Sequence, residues 1–388
     1  MRRERNKINI IIFPGYFLPH IGGLETHVDE FAKYLSLRDY SVTIFAPNIP
    51  KTSQYEIIHK NVRVIRYPAI EIVDGFPIPK FWTLTFWKMW KSLYYLDIDF
   101  VMTRTRFFFN SFLGVIFSKF RFSSRVLIHV EHGSEFVEVE SKLVTVCSKL
   151  YDKTFGKLVF VMSNSIVAIS QVSYDFVKRE FVPYKDVKLI RRGVDFEAYE
   201  EIDEYKFSEF SDKIIFAWLG RLVKWKGVEH SIQAFKELPY EMREKCVFII
   251  IGYGEDEVRL KQLAKDEKHI VFMGKQDFSV AISMLKSADV YVHSASPGGA
   301  LSNSLLQAMY CECSVIASPN EGARDVVFNN KTGLLLKDNS VYNIKRGIEK
   351  MIQDSSLRKK LTKNAHEYIR DNFSWKRVID KYEKEVFK

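Results

Sequence analysis

Cysteine is scarce in this chain: Cys147, Cys246, Cys311 and Cys313 are its four in a length of 388. That number and spacing exclude a disulfide-stapled fold and point to a reducing compartment. Cys311-Glu312-Cys313 is the one close pair. With no second Cys or His cluster to join it, it reads as small packing residues rather than a metal or redox site. Long apolar runs are equally absent, since no segment approaches the roughly 18 uninterrupted apolar residues of a membrane-spanning helix. The basic opening Met1-Arg2-Arg3-Glu4-Arg5-Asn6-Lys7 runs straight into an apolar strand with no small-residue cleavage site, so a secretory signal is not expected. Internal repeats and low-complexity tracts are missing too. These absences leave a folded chain, expected on the cytoplasmic side and long enough for two cores.

Acidic side chains are unevenly withheld. Residues 1–195 hold 28 Lys+Arg against 19 Asp+Glu, and the remainder 30 against 29, so the net charge of +10 belongs almost wholly to the first half. No acid occurs between Asp74 and Asp97, nor across residues 100–130, where Arg104, Arg106, Lys119, Arg121 and Arg125 lie. Nucleic acid is not the expected partner, because no recognition helix, zinc-ligand set or RNP-like aromatic motif accompanies the charge. An anionic membrane surface fits better. Phe81, Trp82, Phe86, Trp87, Trp90, Tyr94 and Tyr95 crowd residues 80–95, and at helical spacing Lys80, Thr83, Lys88 and Lys91 share one side. A helix lying in a headgroup layer has that composition. The competing reading is an unusually aromatic core helix with a solvated basic edge.

Hydrophobic patterning alternates between short apolar runs and amphipathic stretches along the whole chain. In the first half it predicts strands near 8–13, 41–46, 62–67, 99–103, 126–130, 165–169 and 187–190, with helices near 24–37, 80–95, 107–119, 141–162 and 171–181. A polar, acidic connection follows near 191–212. Beyond it, strands near 213–219, 246–252, 269–273, 289–293, 314–317 and 333–336 alternate with helices near 227–238, 255–265, 278–287 and 302–311, and two more helices close the region. Such alternation implies an α/β class with parallel sheets covered on both faces.

Two of the strand-to-helix junctions carry glycine turns. Ile214–Leu219 leads into Gly220-Arg221-Leu222-Val223-Lys224-Trp225-Lys226-Gly227, and a helix pattern begins at Val228. Glycines let backbone approach a ligand, while Arg221 and Lys226 offer fixed positive charge at the carboxyl edge of a parallel sheet, an arrangement suited to a diphosphate. In the first half, Ile8–Phe13 leads through Pro14-Gly15-Tyr16 to His20-Ile21-Gly22-Gly23-Leu24-Glu25-Thr26-His27 and a helix pattern from Val28. Glycines at such a junction can serve the turn alone or make room for a ligand.

From about Ile8 to Phe373, with these motifs in order, the chain resembles the retaining, nucleotide-sugar-dependent glycosyltransferases of family 4. The resemblance implies the GT-B architecture: two Rossmann-like, doubly wound α/β domains facing a central cleft. Expected bounds are 1–195 for the acceptor or membrane side and 196–372 for the donor nucleotide. Residues 373–388 are expected to form a helix crossing back to the first domain. By the same resemblance Gly22 and Gly23 approach the donor, and Arg221 and Lys226 bind and stabilise the departing diphosphate. His132, in Ile128-His129-Val130-Glu131-His132-Gly133, lies near the donor sugar, although a histidine at a strand end can equally be structural. Gly252, in Gly252-Tyr253-Gly254-Glu255, borders the nucleotide, and Met273, in Phe272-Met273-Gly274, lies where backbone reads the base. Leu301, Ser302 and Asn303 supply a helix N-terminus for phosphate.

The chain departs from the family pattern in one segment. Two family glutamates, eight positions apart, align without a gap onto Gly299 and Gln307. Gln307 can still donate to and accept from ribose hydroxyls, but Gly299 offers no side chain to the donor sugar. Asn likewise gives way to Arg192 before Gly193-Val194-Asp195. The resemblance implies a retaining transferase, with catalytic roles for His132, Arg221 and Lys226, that passes a sugar from a UDP-type donor to a lipid-linked or glycan acceptor. It would work peripherally at the inner membrane face without a metal. Asp97-Ile98-Asp99 is the one Asp-x-Asp that could suggest otherwise, and it only introduces a strand. Gly299 and Gln307 keep open a second reading, a non-catalytic subunit that binds nucleotide or a partner transferase. An enzyme that alters the nucleotide sugar itself is a third.

Overall fold

The computed structural model describes residues 7–20, 22–73, 75–119, 125–137, 141–296 and 301–388. The chain divides into two compact units, one of residues 1–194 with 375–388 and the other of residues 195–374.

Strands of the first unit are β1 (Asn9–Phe13), β2 (Ser41–Pro47), β3 (Tyr55–His59), β4 (Val62–Tyr67), β5 (Ala69–Val73), β6 (Phe76–Pro79), β7 (Phe100–Arg104), β8 (Val126–Glu131), β9 (Ser165–Ala168) and β10 (Lys188–Leu189). Helices α1 (Gly23–Leu37), α2 (Leu84–Leu93), α3 (Phe109–Lys119), α4 (Lys142–Tyr151), α5 (Lys157–Met162) and α6 (Gln171–Glu180) connect them. Eight strands form one sheet in the order β10-β9-β8-β7-β1-β2-β4-β3, parallel except for β3 against β4. Ile10 to Phe13 of β1 are wholly buried because helices cover both faces, at roughly 1.5–3 kcal/mol for each large side chain. On α1, Val28, Phe31, Ala32 and Leu35 make a buried stripe at i, i+3, i+4 and i+7. The chain first builds outward from β1 through β2, then lays β7 on the other side of β1, so the order reverses between β1 and β7.

The second unit contains β11 (Ile214–Leu219), β12 (Cys246–Ile251), β13 (Ile270–Gly274), β14 (Val290–His293), β15 (Ser314–Ala317) and β16 (Leu334–Leu335). Its helices are α7 (Glu197–Glu200), α8 (Val228–Lys236), α9 (Tyr240–Arg243), α10 (Glu257–Ala264), α11 (Phe278–Lys286), α12 (Asn303–Tyr310), α13 (Glu321–Arg324), α14 (Val341–Gln353) and α15 (Ser355–Phe373). All six strands are parallel, in the order β13-β12-β11-β14-β15-β16, and the order reverses between β11 and β14. Cys246, Cys311 and Cys313 are buried and unpaired, as small core side chains are, while Cys147 is exposed.

The last helix, α16 (Trp375–Glu385), packs in the first unit against α1. Trp375 lies over Gly193, where an added Cβ would sit 2.1 Å from the indole, and its Nε1 donates to Glu30 at 2.9 Å. Arg38 pairs with Asp380 at 2.6 Å and Glu383 at 3.2 Å.

Three features differ from the sequence-based expectation. The edge strand β3 and the pair β5–β6 were not expected: β3 leaves Tyr55 and Ile57 exposed, and the Pro-flanked Phe76-Pro77-Ile78-Pro79 does not read as a strand. The helix expected at 141–162 is interrupted by a π turn at Asp152–Gly156. Over residues 80–95 the two competing readings each hold for different side chains. The helix runs only from Leu84 to Leu93, with the Thr83 hydroxyl accepting from the Phe86 amide. Phe86, Met89, Trp90 and Leu93 are core, whereas Trp82 and Trp87 are 69% and 51% exposed. Of the nearby basic residues, Arg104, Arg106 and Arg125 are buried and Lys119 is exposed, while Arg121 lies outside the described residues.

Candidate functional site

In an open parallel sheet, ligands bind beyond the carboxyl ends of the strands where the order reverses. In the second unit that place lies between β11 and β14, and the loops there are laced by backbone. Gly220 donates to Ile251 at 3.0 Å, Leu222 to Tyr253 at 2.9 Å, and Ser296 to the Trp225 carbonyl at 2.9 Å. The Ser294 hydroxyl donates to the Lys226 carbonyl at 3.2 Å. Gly227, at φ 68°, has room for no Cβ, which would fall 2.1 Å from the Ser294 carbonyl oxygen.

Arg221 and Lys226 stand in this laced turn. Arg221 is exposed and Lys226 half-buried, with its ammonium 4.4 Å from the Trp225 ring centroid. Among the described residues no carboxylate lies within ion-pair distance of either. Burial first, and then Arg221, hold the Lys226 ammonium below the ordinary lysine range. Two like charges kept together without a counter-ion leave a site that favours an anion. His293, at the end of β14, adds no third charge. Burial and then Lys226 bring it down to about 3, and its Nε2 meets the Asn320 side-chain amide at 3.0 Å. Sequence reasoning passed over His293, because a lone histidine ending an apolar strand carries no signal of its neighbours.

The N-terminus of α12 stands next to this turn. The Tyr291 hydroxyl donates to the Leu219 carbonyl at 3.2 Å and meets Ser304 Oγ at 2.9 Å, tying α12 to the end of β11. Ser302 occupies the cap position, but its hydroxyl bonds Ser304 Oγ at 2.9 Å instead of capping a backbone amide. First-turn amides are thus left without a side-chain cap. Leu301 is buried and Asn303 is exposed. Gln307 lies one turn further along, 3.4 Å from the Tyr199 hydroxyl. Gly299 lies outside the described residues.

Gly252 and Met273 lie on the far side of β11. Gly252, at φ 142°, is glycine for a reason within the protein, since a Cβ would fall 1.8 Å from the Gly220 carbonyl oxygen. The Met273 carbonyl already accepts from the Gln276 side chain, and the Gly252 amide donates to Gly274 at 2.8 Å. Across the carboxyl edge of this sheet, in strand order, stand residues 273, 252, 221–226 and 301–303, with Gln307 one helical turn further on.

The first unit's reversal, between β1 and β7, is built differently. Gly22 and Gly23 open α1 there. A Cβ on Gly23 would meet nothing within 4 Å, so its own fold does not demand glycine; at Gly22 it would meet only the end of the Glu25 side chain. Beneath them, Arg104, His27 and His132 cluster. The Arg104 guanidinium is wholly buried, sits 4.5 Å from the Phe31 ring centroid and has the Tyr382 hydroxyl beside it. His132 is half-buried, its Nε2 is unpartnered, and its ring meets that of His27 edge-on at 4.9 Å. Burial, then Arg104, holds His132 well below the ordinary histidine range. For His27 burial is followed by His132. Both are neutral at physiological pH; His27 is buried, and the unpartnered His132 Nε2 can donate or accept.

A buried ionic hub supports that loop, and sequence reasoning missed it by assigning Arg106 to a basic surface. Arg106 pairs with Glu131 at 3.1 Å and Asp152 at 3.0 Å, all three essentially unexposed. Glu131 also accepts from the amides of Arg106 at 3.1 Å and Gly133 at 2.6 Å and meets His129 Nε2 at 3.1 Å. Burial raises Glu131, but Arg106 and the hydrogen bonds outweigh it and hold the carboxyl at about 2. The hub fixes the backbone on both sides of His132. Asp99 is also structural, accepting from the Asn9 amide at 2.9 Å, so Asp97-Ile98-Asp99 starts the sheet. Among the described residues no group of three or more His, Cys, Asp or Glu is placed to hold a metal ion.

Residues 21–198 match the family described as Glycosyltransferase Family 4, and residues 200–368 match Glycosyl transferases group 1. An uncharacterised glycosyltransferase of Methanocaldococcus jannaschii is 51% identical over 383 residues, covering 97% of this chain and 98% of that protein. A Campylobacter jejuni N,N'-diacetylbacillosaminyl-diphospho-undecaprenol alpha-1,3-N-acetylgalactosaminyltransferase is 23% identical, covering 90% and 92%. Among solved structures, Anabaena HepE in complex with UDP superposes with a TM-score of 0.69 at 16% identity, covering 98% and 99%.

Proposed function

The chain belongs to glycosyltransferase family 4 and has the GT-B fold, and on that footing we propose a retaining transferase that moves a sugar from a UDP-type donor to a lipid-linked or glycan acceptor at a membrane face. Transfer from a nucleotide-sugar donor is the activity of the family. The observation that carries the finer reading is the pair Arg221 and Lys226, laced into a rigid turn without a counter-ion beside the side-chain-uncapped start of α12. As the bond to the sugar breaks, negative charge grows on the leaving diphosphate. Preorganised cations and backbone amides stabilise that charge more than they stabilise the bound donor, and so lower the barrier. They supply the counter-charge that a metal would otherwise bring, so the proposed transfer is metal-independent. Neutral His132 would hydrogen-bond the donor sugar, and Gly23 would leave room for its approach. Support for UDP and for a lipid-linked acceptor comes from HepE, crystallised with UDP, and from the Campylobacter transferase, named for an undecaprenol-diphosphate substrate.

The test is release of nucleoside diphosphate from a panel of nucleotide sugars, with and without membrane lipid extract. Release that depends on acceptor and is lost in Lys226→Ala is the expected result. Gly299 and Gln307, in place of glutamates, favour a second reading, a subunit that binds nucleotide without turnover. Binding of donor with no release, whatever the acceptor, would establish that reading instead.

A further inference from the structure

We infer that the helical segment from α4 through the π turn to α5, residues 142–162, is an amphipathic surface that docks on an anionic lipid bilayer. The inference rests on the membrane-face part of the proposed function and adds a docking element that sequence analysis placed elsewhere. None of the ten residues of α4 is buried, whereas α1 buries a full apolar stripe. Isolated helices shorter than about 12–15 residues are marginal in water and usually rely on packing. Here the apolar residues point outward: Leu143, Val146 and Leu150 are 74%, 63% and 64% exposed. They are spaced three and four apart, and after a step of five across the π turn, Phe155, Leu158 and Val161 continue exposed. A stripe of that length on a water-soluble surface marks an interaction site.

Charge identifies the occupant. Lys142, Lys149, Lys153 and Lys157 flank the stripe, and the one acid in the segment, Asp152, is buried in its pairing with Arg106. Protein interfaces are depleted in lysine, while helices lying in a headgroup layer are rich in it, so a bilayer fits better than a second copy of the chain. The surface is also continuous with the exposed edge of α2. Ring centroids step from Trp87 to Phe81 at 6.4 Å, Phe81 to Phe109 at 5.7 Å, Phe109 to Phe112 at 5.8 Å, and Phe112 to Phe155 at 5.0 Å. A ladder of rings thus connects Trp87 on α2 to Phe155, the residue at which the exposed stripe crosses the π turn.

Co-sedimentation of the full chain with vesicles of equal parts phosphatidylglycerol and phosphatidylcholine tests this, with phosphatidylcholine vesicles as the neutral control. Replacing Leu143, Val146 and Leu150 together by Ser should weaken binding roughly tenfold or more. Replacing Lys142, Lys153 and Lys157 by Gln should weaken binding to the anionic vesicles by on the order of fivefold per lysine, and leave the neutral vesicles unaffected. The replaced side chains are exposed, so unchanged thermal melting serves as the folding control. Loss of binding in Trp82→Ser/Trp87→Ser, with the α4 variants binding like wild type, would overturn the inference and leave the membrane reading intact. No wild-type binding to either vesicle would overturn both. A change in oligomeric state in the α4 variants, with vesicle binding intact, would overturn the inference in favour of a self-interface.

Discussion

Both units bring their chain reversal to the carboxyl edge of a parallel sheet, yet they spend charge there in opposite ways. In the first unit the cations are turned inward: Arg106 is neutralised by Glu131 and Asp152, and Arg104 is sealed against Phe31. In the second, Arg221 and Lys226 pair with no described carboxylate, and the shape of their turn comes from glycine and backbone hydrogen bonds instead. One edge is held by ions and carries the neutral, half-buried His132; the other is held by backbone and presents ions. Neutral, oriented donors suit sugar hydroxyls, and unpaired cations suit a diphosphate.

The comparison can be broken at its strongest point by Arg106→Ala, which strands two buried carboxylates. A loss of roughly 3–5 kcal/mol of stability is expected, read by denaturant melting. A small effect would mean the hub is not what holds the first edge. On the other side, Lys226→Ala should lower kcat/KM about 100- to 1000-fold while thermal melting stays put, because that ion supports no fold. A loss of stability in place of activity would reverse the assignment. Gly252→Ala should cost roughly 1–3 kcal/mol, since φ 142° and the Gly220 carbonyl both exclude a side chain. Donor affinity should change only through that loss, which separates a structural glycine from one that contacts ligand.

The subtlest distinction is in pH. Glu131 is held at about 2, below its ordinary 4.5, so its stabilisation is complete above 4.5 and is lost as pH falls toward 2. Burial raises Asp152 from 3.8 to about 6 despite Arg106, so the native state binds the extra proton, and stability declines as pH rises from 3.8 through 6. Melting temperature of the first unit should therefore crest where the two windows overlap, at about pH 4. Glu131→Gln should remove the acid limb and Asp152→Asn the near-neutral limb.

Much of the architecture was legible because parallel strands buried on both faces leave unbroken apolar runs such as Val247 to Ile251, and glycines punctuate their ends. The turn at 220–227 was legible for the same reason, as its cations follow a strand directly. What stayed hidden depended on tertiary partners. Arg104 and Arg106 read as surface charge because their counterparts, Phe31, Glu131 and Asp152, lie far off in sequence. The aromatics of 80–95 could not be divided into core and surface until α3 was seen to cover one side of α2. The Gly220 carbonyl, which demands glycine at position 252, has no local signal in the sequence either.

The seating of Trp375 on Gly193 makes residues 195–374 an insertion between two parts of one fold. That topology forecasts how the protein can be dissected. The inserted module is a candidate for expression alone, whereas trimming the last fourteen residues would uncover α1 and damage the unit at the opposite end of the gene. A first unit made independently would need position 194 spliced to position 375.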